Sequence, residues 1–195
     1  MKNFNMKSKT ITVLLLLYFL NGFGQKTIQI VISTSLGDIQ AELYPKKAPK
    51  TVHNFLQYVS NDLYDNSSFF RVCTQENEAN KNIKIEVIQG GNVPEDQLFP
   101  PIAIETTQQS GIKHENGTIS MARGAPDTAQ SSFFICINKQ PELDFNGKRN
   151  PDGQGFAAFG KVTKGMDIVL KIQSSENVEQ YISTPVLIKT IKIIP

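Results

Sequence analysis

Apolar and polar residues alternate with a period of two along most of this chain, and the period lengthens to that of a helix in two places. Thr27-Ile28-Gln29-Ile30-Val31-Ile32-Ser33-Thr34 reads as a strand. Gly37-Asp38 predicts a turn, and Ile39-Gln40-Ala41-Glu42-Leu43 alternates back, so the unit is a β-hairpin. Val52, Phe55, Leu56 and Val59 then fall at i, i+3, i+4 and i+7, the spacing of an amphipathic helix. Pro49 suits the first turn of that helix, where a missing N–H has no intrahelical partner to lose. Short strands are predicted over Phe69–Cys73, Ile83–Gln89, Thr118–Ala122, Phe133–Asn138 and Phe156–Val162, separated by turn-rich stretches. Lys164–Ile172 predicts a second helix with Met166, Val169 and Leu170 on one side, and Val186–Ile194 a closing strand. Many short strands with two helices imply an antiparallel barrel or sandwich. A chain that begins and ends in strands can pair them and leave no open edge.

The amino end breaks this pattern. Lys2, Lys7 and Lys9 precede the apolar run Ile11–Leu20, and Gly22 and Gly24 follow before Gln25. A basic segment, a short apolar segment and a small-residue exit make a secretory signal peptide. The run is short of the roughly 20 apolar residues a spanning helix needs. The expected organisation is a leader over 1–25 and one domain over 26–195, exported to the periplasm or secreted, with no stable membrane anchor after cleavage.

Composition fits one folded domain: 39% of residues are hydrophobic and 19% charged. Cleavage would take three lysines from the 20 basic residues and leave 17 against 18 acidic, a net charge of −1. A near-neutral domain has no electrostatic footprint for nucleic acid or an anionic membrane. Cys73 and Cys136 each end an apolar run and read as buried thiols that pack like small hydrophobes; a disulfide is the alternative that an exported domain permits. His53 is placed on the polar side of the first helix and His114 in a structural turn. With no third ligand near either, no metal site is expected. Two polar loops, 74–82 and 144–155, read as surface connections or as the rim of a groove, the first of them mobile.

Arg71 is the residue out of place, a permanent cation inside the apolar run Ser68-Phe69-Phe70-Arg71-Val72. Downstream lie Gln89-Gly90-Gly91, Ser120-Met121-Ala122, Phe133-Phe134-Ile135 and Phe159-Gly160-Lys161-Val162. In this order, behind a hairpin and a helix, these segments resemble the cyclophilin family of peptidyl-prolyl isomerases over nearly the whole of 26–195. The resemblance implies a mainly β fold, a closed eight-stranded antiparallel barrel capped by two α-helices. It also implies an outward groove for proline-containing peptides and unfolded polypeptide, no cofactor, and a monomer.

By resemblance, Arg71 is the catalytic cation, favouring the twisted peptide bond in which the proline nitrogen becomes pyramidal. Glu86, Val87, Phe134 and Leu143 map onto the proline pocket, Gln89 onto the glutamine that supports the cation, and Ala122, Arg123 and Gly124 onto the edge that receives the peptide backbone. Phe70, Ser132 and Phe156 complete the groove at positions where the family pattern differs. Phe70 replaces a histidine beside the cation, Ser132 a glutamine, and Phe156 often a histidine or another ring. Glu142 stands in place of an aromatic, and Glu86 is the sharpest departure because an aromatic wall is expected there. With loop 74–82 longer than usual, Ile85 is the alternative wall. The implied activity is cis–trans isomerisation of X-Pro bonds, assisting folding of exported proteins. The competing reading is a proline-peptide binding module or holdase on the same barrel with little turnover.

Overall fold

A computed structural model describes residues 27–194. The expected leader over 1–25 lies outside them. Eight antiparallel strands close a barrel. In chain order these are β1 (Ile28–Thr34), β2 (Gly37–Leu43), β3 (Ser68–Cys73), β4 (Val87–Gly90), β5 (Thr118–Met121), β6 (Phe133–Cys136), β7 (Ala157–Lys164) and β9 (Tyr181–Ile194). The ring runs β1-β2-β7-β5-β6-β4-β3-β9 and returns to β1. A two-residue strand, β8 (Asn177–Val178), pairs with the start of β9 outside the ring. One long strand makes the closure: β9 pairs with β3 through Tyr181, Val186 and Leu187, and with β1 through Ile188–Ile194. Among the described residues three α-helices accompany the barrel, α1 (Pro49–Ser60), the single turn α2 (Thr107–Ser110) and α3 (Met166–Gln173).

The hairpin forms where the alternation places it, but its turn is Ser35-Leu36, and Gly37 already pairs with Thr34. Gly37 is required for a different reason. Its φ is +136°, and a Cβ there would lie 2.7 Å from the Ile168 side chain of α3. The second helix starts later than its apolar spacing suggests because Lys164 ends β7 and Gly165, at φ +88°, turns the chain into Met166. The strand expected over Ile83–Gln89 is confined to Val87–Gly90.

Helix α1 has no side-chain cap of its own. The Glu105 carboxylate, 55 residues away, accepts the Lys50 and Thr51 N–H groups at 3.1 and 2.8 Å and the Thr51 hydroxyl at 2.7 Å. An anion there satisfies orphan donors and complements the positive end of the helix dipole. The helix buries Val52, Phe55, Tyr58 and Val59 and leaves His53 exposed. Phe55 is fully buried with ring contacts at 5.2 Å to Tyr64, 5.4 Å to Phe133 and 5.2 Å to Phe159. From α3, Ile168, Val169 and Ile172 enter the same core.

A second, smaller apolar cluster forms apart from that core. Cys73, Ile85, Val87, Phe134, Cys136 and Leu143 pack together, with Ala122 and Phe156 against them. The two clusters occupy opposite faces of the same strands: Val72, Ile88, Phe133 and Ile135 face the barrel interior, while Cys73, Val87, Phe134 and Cys136 face outward. Period-two geometry puts neighbours on opposite faces, so these strands are apolar throughout rather than alternating. Cys73 and Cys136 each pair with Val87 from opposite sides. Two strand spacings of about 4.8 Å then separate them, beyond the ~7 Å that a disulfide tolerates, and both are free. Burial raises the Cys73 thiol to about 11 and pushes Cys136 well above the usual range, so both stay protonated.

Candidate active site

A β-bulge sets up the site. The register of β3 shifts between Phe69 and Arg71 against both β4 and β9. Phe69 and Val72 are three residues apart yet both fully buried in the core, which strict alternation forbids and an extra residue allows. The bulge turns Arg71 outward over the second cluster. Its guanidinium lines a cavity of about 220 Å³ whose walls include Ile85, Val87, Phe134, Leu143 and Phe156. Phe134 and Phe156 meet edge to face at 5.3 Å. Gln89, Ala122, Arg123, Arg149 and Asn150 complete the lining. A second cavity of about 390 Å³ adjoins it, sharing Gln89, Ala122 and Arg123 and adding Gly124 and Ser132.

Ten of the twelve residues singled out from the sequence therefore line one continuous groove. Phe70 and Glu86 do not. Phe70 is half-buried beside the bulge and lines neither cavity. Glu86 faces away from the pocket, where its carboxylate accepts from Asn138 at 3.3 Å. Glu86 and Val87 are neighbours on extended chain, and extended geometry sends them to opposite sides. Ile85, two residues before Val87, supplies the wall instead. Glu142 is also turned aside, its carboxylate accepting the Lys148 N–H at 2.8 Å.

Arg71 is held by two amides. Nη1 donates to Gln89 Oε1 at 2.9 Å, while Nε and Nη2 both donate to Gln180 Oε1, at 3.0 and 2.5 Å. A guanidinium has five N–H donors, so two, one on each terminal nitrogen, have no partner among the described residues. No carboxylate among the described residues pairs with Arg71, which leaves its charge available to a ligand. The two other cations lining the groove are paired with carboxylates, Arg149 with Glu78 and Arg123 with Asp152. Arg123 donates through Nη1 and Nη2 to Asp152, both at 2.8 Å, and through Nε to the Gly155 carbonyl at 2.8 Å. Its side chain is 1% exposed and lies over the Phe156 ring at 5.2 Å. The bond from Arg123 holds Asp152 below the usual carboxylate range. Arg123 is thus a buried tie between the groove floor and loop 144–155 rather than an exposed rim residue. That loop is tight: Gly155 has φ +66°, and a Cβ there would lie 2.5 Å from the Asp144 and Leu143 backbone.

His114 sits behind the pocket. It stacks on Phe134 at 5.9 Å, with Nδ1 2.8 Å from Asp144 Oδ1 and Nε2 3.0 Å from Ser120 Oγ. The carboxylate only accepts, so Nδ1 carries the proton and Nε2 accepts from the Ser120 hydroxyl. The order resembles a nucleophilic relay, but Ser120 is fully buried and has no access to substrate. The arrangement fixes the ring that backs Phe134.

Sequence reading missed Glu78, Arg149, Asn150 and Gln180. Arg149 donates twice to Glu78, at 2.8 and 2.6 Å, across 71 residues, and no local pattern announces such a pair. Loop 74–82, expected to be mobile, is pinned at its centre by Glu78, which is 1% exposed. One signal was available for the pocket wall: alternation alone groups Ile85 with Val87 and Gln89.

The closed barrel thus carries an outward pocket with Val87, Phe134, Leu143 and Phe156 in its walls, and among the described residues Arg71 is the one guanidinium lining it that pairs with no carboxylate. The family model for "Cyclophilin type peptidyl-prolyl cis-trans isomerase/CLD" matches residues 28–193, the whole barrel. Peptidyl-prolyl cis-trans isomerase cyp18 of Streptomyces antibioticus is 36% identical over 85% of this chain and 98% of its own. Peptidyl-prolyl cis-trans isomerase A of Dickeya dadantii is 36% identical over 94% of each chain. Among solved structures, a cyclophilin type peptidyl-prolyl cis-trans isomerase of Cryptosporidium parvum superposes with a TM-score of 0.68 over 87% of this chain and 99% of that one, at 24% identity. A second structure of that protein was obtained in the presence of the dipeptide Ala-Pro. The chain belongs to the cyclophilin family of peptidyl-prolyl cis–trans isomerases and is an isomerase.

Proposed function

We propose that Arg71 is the catalytic cation of an exported isomerase that accelerates rotation about X-Pro bonds in folding or flexible polypeptide. The observation that carries this reading is that Arg71, with two N–H donors unpartnered among the described residues, lines one cavity of about 220 Å³ with Ile85, Val87, Phe134, Leu143 and Phe156. The proline ring packs among Val87, Phe134, Leu143, Phe156 and Ile85, and the preceding backbone runs along Ala122–Gly124, where main-chain groups can pair with an extended peptide.

Rotation about a peptide bond meets a barrier of about 18–20 kcal/mol because resonance stiffens the C–N bond, and uncatalysed exchange before proline takes tens to hundreds of seconds. At the twisted state resonance is lost and the nitrogen lone pair localises. A fixed guanidinium donating to that nitrogen stabilises the twisted state more than either planar isomer, which is what lowers a barrier. Neither nucleophile nor general base enters.

Export is supported by the three lysines, the Ile11–Leu20 run and the small-residue exit before residue 26. No helix among the described residues is long and apolar enough to cross a membrane. The reading of the protein as a binder with little turnover draws on Glu86, Ser132 and Glu142; with Ile85 in the wall and both carboxylates engaged elsewhere two of those motives weaken, while Ser132 still lines the groove. The test is isomerisation of a short X-Pro peptide by the purified protein and by Arg71→Ala. The variant is expected to lose at least tenfold in kcat/KM, about 1.4 kcal/mol of transition-state stabilisation. Equal rates for the two proteins would remove Arg71 from the chemistry.

A further inference from the structure

The contacts that fix Arg71 continue well beyond the groove. Gln180 accepts two of its N–H groups through Oε1, and the same amide donates through Nε2 to Glu78 Oε1 at 3.1 Å. Glu78 in turn receives both terminal nitrogens of Arg149, and its Oε2 also accepts the Ile85 N–H at 2.8 Å. Burial alone would raise the Glu78 carboxyl, but Arg149, the Ile85 N–H and Gln180 outweigh it and hold the group ionised. An amide between an obligate donor and an obligate acceptor has one choice of orientation. Arg71 only donates and the Glu78 carboxylate only accepts, so the oxygen of Gln180 must face the cation.

The backbone at Gln180 points the same way. Glu179 and Gln180 form the two-residue turn between Val178 and Tyr181, with φ of +49° and +77°. Two successive positive φ values suit Asn-Gly, and an ordinary side chain at the second position is disfavoured. Strain of this kind persists where the surroundings determine it and clusters at functional sites. The turn is fastened beside the cation, because the Val72 N–H donates to the Gln180 carbonyl at 2.8 Å. Glycine would relax the turn, and only the side chain reaches Arg71.

We propose that Gln180 and Glu78 are positioning residues for the isomerase reaction: the relay Arg71–Gln180–Glu78–Arg149 holds the guanidinium with its two unpartnered donors toward the pocket. Through this relay the long loop 74–82 becomes part of the catalytic apparatus without touching substrate. The inference rests on the reading of Arg71 as the catalytic cation.

Gln180→Gly separates this role from a structural one, since glycine is at ease at φ +77°. The variant is expected to melt at or above the temperature of the parent protein. Its kcat for an X-Pro peptide should fall five- to tenfold with KM unchanged, and the 15N-resolved Nε–H signal of Arg71 should broaden as the side chain gains freedom. In an Arg71→Ala background the same substitution should change nothing further. Glu78→Gln removes the charge that orients the Gln180 amide and should broaden the Arg71 signal as well. A Gln180→Gly protein with kcat within twofold of the parent and a sharp Arg71 signal would overturn the relay, and so would a loss that recurs in full on top of Arg71→Ala. An unchanged signal in Glu78→Gln would remove Glu78 from it. If Arg71→Ala itself isomerises normally, the catalytic reading fails, and the Arg71 signal still decides whether the relay holds the side chain.

Discussion

His114 shows how one buried side chain links stability to pH. Burial holds its pKa below the ordinary histidine value, although the Asp144 bond pulls the other way. In the unfolded chain it takes up a proton near pH 6.5. As pH falls below that value the unfolded state binds the proton first, so stability declines until the folded pKa is reached. Asp144 is the opposite partner: burial raises it, but the bonds from His114 outweigh that and hold it below the usual value. Its contribution is present above the ordinary carboxylate pKa and disappears only as pH falls through the depressed one, as does that of Glu78. Acid should therefore weaken the protein in two stages, the first beginning near pH 6.5. Urea unfolding at a series of pH values should show the first stage, and His114→Gln should abolish the slope between pH 6.5 and 5. The same slope in the variant would mean that another group titrates there. At this scale the sequence was legible for residues whose type alone marks them, such as Arg71 and Gln89. It was not legible for His114, whose partner Asp144 lies 30 residues away.

Elements were easier to read than their edges. Hydrophobic spacing located the hairpin, α1 and all the ring strands, because burial of one face is what makes each of them form. Their boundaries depend on contacts the pattern does not contain. The hairpin turn is Ser35-Leu36, and Gly37, already paired with Thr34, serves instead the close approach of α3. The β4 strand shrank to Val87–Gly90, with the residues before it bound up with loop 74–82, where the Ile85 N–H goes to Glu78. The start of α1 depends on Glu105, which satisfies two of its backbone donors from a distant segment. Glu105→Ala should lower stability by about 1–2 kcal/mol, the usual range for a lost helix cap. It should shift the urea midpoint and leave the dependence on denaturant unchanged. A shift under a few tenths of a kcal/mol would show that water caps this helix equally well.

The described residues form a ring closed by one strand around a main core, with the smaller cluster on its outer face. Phe55 ties helix, loop and barrel together through Tyr64, Phe133 and Phe159. Phe55→Ala should cost about 3–5 kcal/mol, the range for deleting a fully buried aromatic side chain. Thermal unfolding would show the loss, and X-Pro isomerisation per folded molecule should change little. A small loss of stability with a large loss of turnover would mean that core and groove are coupled. Their arrangement argues otherwise. A β barrel or sandwich was foreseeable because strands such as β1 and β2 put an apolar residue inward at every second position, and closure into eight strands was implied by the family resemblance. The groove was harder to foresee because its walls come from the outer faces of the same strands and from loops joined by a buried ion pair. That division leaves the protein with two separate inheritances. The inner face is bound by the need to fill a closed space, while the outer face is free to change its lining one residue at a time. At one point that lining is set by which of two neighbours the chain turns toward the pocket, Ile85 into the wall and Glu86 aside to Asn138, so peptide preference could be retuned there without touching the barrel core.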